Sequence, residues 1–133
     1  TLYYRDFDGD GFGDPLMAEE LCEPDTIEDY NVTNNDDCCD IDPVAKPPLG
    51  TEEADFRTIP NACGSYNWDC DPSGTEEKRW TRQGSCSEYL CSTTKGWRYS
   101  TDPECGETAD WLEDCDGLLS CSKDYIPKTQ ECR

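Results

Sequence analysis

Apolar residues come in short bursts along this chain, never in a rhythm sustained long enough for a long helix. Thr1-Leu2-Tyr3-Tyr4-Arg5 has strand propensity. It runs into DFDGDGFGD, Asp6 to Asp14, where glycines alternate with acids and no regular element can persist. Leu16 to Leu21 predicts one short strand or helical turn, and Asp25 to Asn35 reads as polar loop. Next comes NNDDCCDID, Asn34 to Asp42, with Pro43, Pro47 and Pro48 as a stiff exit. A second glycine- and acid-rich run spans Cys63 to Glu77, and Lys78 to Thr81 predicts the start of a strand. Beyond Arg82, Gly96 to Ser100 is the best strand and Ala109 to Asp114 the best helical turn. No linker is long enough to separate independent domains, so one irregular body of at most two lobes is expected.

Composition sharpens this. Only 34% of residues are apolar, against roughly 45–50% in ordinary domains, so a large core cannot be built. Thirty-one acids against eleven bases give a formal charge of −20, which by itself predicts disorder through self-repulsion. Eleven cysteines oppose that outcome. Such density marks a disulfide scaffold of an oxidising compartment, secreted or at the cell surface. The start at Thr1, without methionine, reads as a mature or excised segment whose export signal has been removed. Nucleic acid and anionic membranes are disfavoured by charge, and no apolar run approaches the roughly 20 residues of a membrane span.

The acids are clustered with ligand spacing. Asp6, Asp8 and Asp10 occupy positions one, three and five of a calcium loop, with Gly11 at the sharp turn. Phe12 follows to offer a backbone carbonyl, and Asp14 falls at position nine. A hard cation taking six to eight oxygens suits this set; the absence of histidine argues against transition metals. Position twelve, normally a bidentate acid, is Met17, so further carboxylates must come from elsewhere. The natural donor is Asn34 to Asp42, with Asp36, Asp37, Asp40 and Asp42 beside Cys38 and Cys39. The bland alternative is a solvated acidic turn.

YYRDFDGDGFGDP, then Cys22, then NNDDCCDIDP resembles the bacterial repeat of MopE-type secreted proteins, itself similar to thrombospondin type 3 repeats. The resemblance covers roughly the first 80 residues and implies calcium-organised loops on an exported bacterial protein. It does not imply copper, since the copper site of the name-giving member depends on histidines. In that family a second block reads Asp-x-Asp-Cys-Asp-Gly before an acidic pair. Its counterpart runs from Asn67 to Glu77, with Asn67, Asp69 and Asp71 at alternate spacing and the glycine displaced to Gly74. Glu77 is the expected closing ligand, with Glu76 or Glu52 as alternatives. Asp114-Cys115-Asp116-Gly117 lacks a convergent set. The domain reading is therefore 1–80 as an aspartate-rich calcium-binding region and 81–133 as a cysteine-rich lobe.

An odd number of cysteines leaves at least one free, bonded to another chain, or bonded to a part of the protein not in this sequence. Adjacent Cys38 and Cys39 are expected to staple two different segments, one to Cys22 and the other to Cys63 or Cys70. Cys86 with Cys91, and Cys105, Cys115, Cys121 and Cys132 among themselves, are the local choices. No C-x-x-C pair suggests zinc. Without histidine the usual nucleophilic triads are absent, and catalysis is not expected.

The fold expected is small and disulfide-rich, mostly irregular with short β-strands, calcium-organised loops and little helix. The function expected is that of an extracellular calcium-binding structural or surface protein, with Ca2+ as cofactor. One alternative is a self-assembling subunit of a filament or layer, bridging to other copies of itself through the odd cysteine or by strand addition. The other is an adhesin whose tryptophans stack on a surface polysaccharide, or which binds a protein. The sequon Asn31-Val32-Thr33 would permit glycosylation.

Overall fold

The computed structural model describes residues 1–50, 54–74, 76–117 and 120–133. Among these there is no helix; the protein is all-β and irregular, stapled by five disulfides. The chain divides into two compact units, residues 1–56 with 60–77 and 133, and residues 57–59 with 78–132.

In the first unit, β1 (Leu2–Arg5) is the centre of a three-stranded antiparallel sheet between β2 (Ala18–Glu20) and β3 (Tyr30–Val32). Tyr4 pairs with Ala18 on one side and Val32 on the other. The sheet is the frame on which the first acidic loop is hung, since the loop leaves from the end of β1 and returns at β2. Gly13 shows how closely they fit: a Cβ there would stand 2.5 Å from Tyr4 Cβ and 2.8 Å from the Asn34 carbonyl oxygen. The remaining core is minimal, with Trp68 packed on Cys39 and Ala45. Cys38–Cys70 and Cys39–Cys63 supply what apolar area cannot, each restricting the unfolded chain by roughly 2–4 kcal/mol.

The second unit is built on a long hairpin, β7 (Thr108–Asp116) and β8 (Ser122–Thr129), extended by β6 (Gly96–Trp97) in the order β6-β7-β8. A two-stranded ribbon, β4 (Ser85–Cys86) with β5 (Thr93–Thr94), lies alongside. Trp97, Trp111 and Leu112 are buried. Trp97 and Trp111 meet edge to face at 5.1 Å between ring centroids, and the Trp97 indole N–H donates to the Trp80 carbonyl. The Lys128 ammonium lies 3.8 Å from the Trp80 ring centre and 3.9 Å from that of Trp111, with burial holding its pKa below the usual lysine value. Cys86–Cys115, Cys91–Cys121 and Cys105–Cys132 close the unit. At Gly96 a Cβ would meet the backbone of Arg82, Gln83 and Gly84, which cannot yield as a side chain can. Gly96→Ala should therefore cost about 1–3 kcal/mol in denaturant unfolding of this unit.

Several expectations are corrected. Ala109–Asp114 is strand, not a helical turn, and only Gly96–Trp97 of the segment 96–100 pairs as β6. Lys78 contributes one isolated bridge to Cys132 and starts no strand. Cys22 joins neither Cys38 nor Cys39; it is a free, exposed thiol, and both adjacent cysteines turn to the 63–70 segment. Cys86 bonds Cys115, not Cys91, because the hairpin carries Cys115 beside the ribbon. Cys105–Cys132 follows the expected grouping.

Candidate metal centre

The first acidic loop folds around its own carboxylates. Asp6, 6% exposed, accepts the Asp10 and Gly11 backbone N–H groups at 3.0 and 3.1 Å. This draws the loop into a tight coil, and Gly11 takes a φ of 93° that other residues rarely adopt. Asp8 and Asp10 each accept a backbone N–H two residues on, from Asp10 at 3.2 Å and Phe12 at 2.9 Å. Each thus spends one oxygen on the turn and keeps the other.

The second acidic block arrives from the end of β3. Asn34 docks it, accepting the Gly13 N–H and donating to the Gly11 carbonyl at 2.9 Å, while the Asp37 N–H donates to the Gly13 carbonyl. Asp37, 3% exposed, accepts the Cys39 N–H at 2.7 Å. Asp40 takes the Arg5 guanidinium on one oxygen at 2.9 Å and the Phe7 N–H on the other at 2.6 Å.

Two groups result, Asp6 with Asp8 and Asp10, and Asp8 with Asp37 and Asp40, each offering oxygens within 4.8 Å of one another. Asp8 belongs to both. Asp8 Oδ2, Asp10 Oδ2 and Asp37 Oδ2 are buried and have no hydrogen-bond partner among the described residues. Burial, and then the neighbouring Asp10, raises the Asp8 pKa; burial also raises that of Asp10. For Asp37, burial above all, with the charges of Asp10, Asp8 and Asp40 behind it, pushes the pKa up to about 6. Such acidic clusters could hold a metal ion. A surface depression lined by Arg5, Asp14, Leu16, Asp37, Asp40 and Ile41 opens beside them.

Asp14 and Asp42 lie outside these groups. Asp14 accepts the Leu16 N–H, and Asp42 clasps the Val44 and Ala62 N–H groups, fastening its segment to residue 62. Phe12 enters through the N–H it gives to Asp10.

The second loop repeats the first in outline. Asn67, 7% exposed, accepts the Asp71 N–H at 3.3 Å, as Asp6 accepts that of Asp10. Asp69 Oδ1 and Asp71 Oδ1 are buried without partners among the described residues, the counterparts of Asp8 and Asp10. Glu77 pairs with Arg133 at 2.8 Å, whereas Glu76 reaches back to the Tyr66 N–H. Glu52 falls outside the described residues.

Arg5 and Asn34 are the site residues that the spacing of acids did not reveal. The signal for Arg5 was present: it is the only base before Lys46.

No family model, curated protein or solved structure gives a significant match to the chain. What the protein does must therefore be argued from the cluster itself.

Proposed function

We propose that this is an extracellular structural protein whose acidic loops bind calcium. One observation carries the reading: three buried carboxylate oxygens, on Asp8, Asp10 and Asp37, lie in two groups that share Asp8, with nothing among the described residues to satisfy them. Leaving such groups unpaired is costly, and a cation held in either group, with Asp8 common to both, is the partner that answers them. Oxygens within 4.8 Å of one another match the span across one ion ligated at about 2.4 Å, the calcium range. Asp6 and Asp40 complete the two groups, and their hydrogen bonds from the Asp10, Gly11 and Phe7 N–H groups shape the loop. The matching arrangement of Asn67, Asp69 and Asp71 supports a second ion there.

Five disulfides are consistent with an extracellular protein, where millimolar calcium is the ordinary condition for such modules. The resemblance to MopE-type repeats leads to the same reading. Of the four tryptophans that the adhesin alternative would use, Trp68, Trp97 and Trp111 are buried and Trp80 is half-buried. The exposed thiol of Cys22 favours covalent pairing of copies as a second reading. A dimer band on non-reducing gels that vanishes on reduction would support it.

Calorimetric titration of the chelated protein with calcium tests the main reading, with Asp25 as control because it caps a turn through the Ile27 N–H. Asp8→Ala should weaken binding by about tenfold or more, the loss of a charged interaction. Asp25→Ala should leave it within about twofold, since surface changes of this kind are nearly neutral. No heat from the unaltered protein at millimolar calcium would end the proposal.

A further inference from the structure

The ligand block 33–42 belongs to no strand, and Asp37 is flanked directly by a cysteine bonded to the other acidic loop. The Asp37 carboxylate and the sulfurs of Cys38 and Cys70 all lie within 4.8 Å of one another. The Cys38 N–H also donates to Cys70 Sγ at 3.2 Å. Since these sulfurs are joined, they are no thiolate ligands; the bridge is a wall of the carboxylate site. On its far side, Cys70 stands between Asp69 and Asp71 with a φ of 48°, a left-handed turn that a disulfide helps to hold in place. Cys38 as a residue is exposed, while the two sulfurs are partly covered by the Ala45 and Asn67 carbonyls.

We infer that the Cys38–Cys70 bridge is a redox latch on the cation site, coupling calcium affinity to the oxidation state of that bond. The inference rests on the calcium reading above. A dithiol would deliver two electrons and two protons, leaving Cys38 and Cys70 as thiols and itself as a cyclic disulfide. Asp37, left with the Gly13 carbonyl and the Cys39–Cys63 bridge as its anchors, would be held less firmly opposite Asp8. Linkage is reciprocal, so calcium must favour the oxidised bridge by the factor through which oxidation favours calcium.

Two measurements on the full chain decide it. In the first, calcium titration compares the unaltered protein with a C38S/C70S variant, and with C91S/C121S, whose bridge lies in the second unit. The expected result is an affinity about tenfold lower for C38S/C70S, with C91S/C121S within about twofold. Equal affinity in C38S/C70S and the unaltered protein overturns the inference while leaving the calcium reading intact. Absence of binding in the unaltered protein sinks that reading, and the latch with it. The second measurement needs no variant to fold. The native protein is equilibrated in graded mixtures of reduced and oxidised dithiothreitol, with calcium or chelator, and the thiols are trapped by alkylation and mapped. Calcium should shift the midpoint for Cys38–Cys70 by about tenfold in the dithiol ratio, and leave Cys91–Cys121 unmoved. No shift at Cys38–Cys70, or an equal shift at both, overturns the inference.

Discussion

Chelating calcium is expected to lower the melting temperature of the first unit by about 10–20 °C and open it to proteases, leaving the second unit's transition in place. The size follows from binding linkage. An ion present at a hundred times its dissociation constant stabilises the folded form by about 2.7 kcal/mol, and in a unit of this size each kcal/mol is worth about 4–8 °C. The direction follows from charge. The first unit carries most of the acids that give the chain its charge of −20, and its buried cluster is Trp68, Cys39 and Ala45, with Ala54 against it. If a cation is bound as proposed, its removal would return Asp8, Asp10 and Asp37 to mutual repulsion. Calorimetry and limited proteolysis with and without chelator would check this, reading cleavage between Asp6 and Asp42. Identical melting and cleavage in both conditions would contradict it.

Acid should unload the site. Without metal, burial raises the Asp37 pKa from 3.8 to about 6, so between those values its proton is held more tightly in the folded chain than in the unfolded one. That contribution to metal-free stability is present in full below pH 3.8 and is lost as pH rises through about 6. It is worth on the order of 3 kcal/mol at most. Calcium needs the ionised form and competes with that proton. Affinity should be near its plateau at pH 7.5 and fall about tenfold for each unit of pH below 6, faster once Asp8 and Asp10 also protonate. The two trends have opposite signs: the chelated protein should melt higher at pH 5 than at pH 7.5, and the calcium-loaded protein lower. Asp37→Asn should remove most of the first trend and weaken calcium by about 10–100-fold. Parallel pH dependence with and without calcium would refute the assignment of Asp37.

How much of this could be read from the sequence differs from element to element. Asp6, Asp8 and Asp10 were legible because their grouping is local; alternate acids around glycine have few ways to fold other than a coil with the carboxylates inside. That Asp37 and Asp40 come close to the loop was legible because its last position is Met17 instead of an acid and one further acidic block lies nearby. Their anchors were less so. Asn34 and Arg5 act through backbone groups and one ion pair across a sheet, which no spacing rule encodes. The disulfides depended on tertiary placement, hence the wrong partners for Cys22 and Cys86. Ala109–Asp114 misled for a specific reason. Trp111 and Leu112 are both buried though adjacent, which destroys the alternation expected of a strand. A register shift between Leu112 and Asp114 and cover on both faces make that possible in β7.

The outer margin of β8 bears on life among many neighbours. It is the last strand of its sheet, and along it stand Lys123, Pro127 and Lys128. A proline offers no amide hydrogen to an incoming backbone, and a charged Lys123 resists being buried against one, so the three-stranded sheet ends there instead of recruiting a fourth strand from a passing molecule. A polypeptide packed densely outside a cell gains from such a margin: it can crowd without zipping into fibrils.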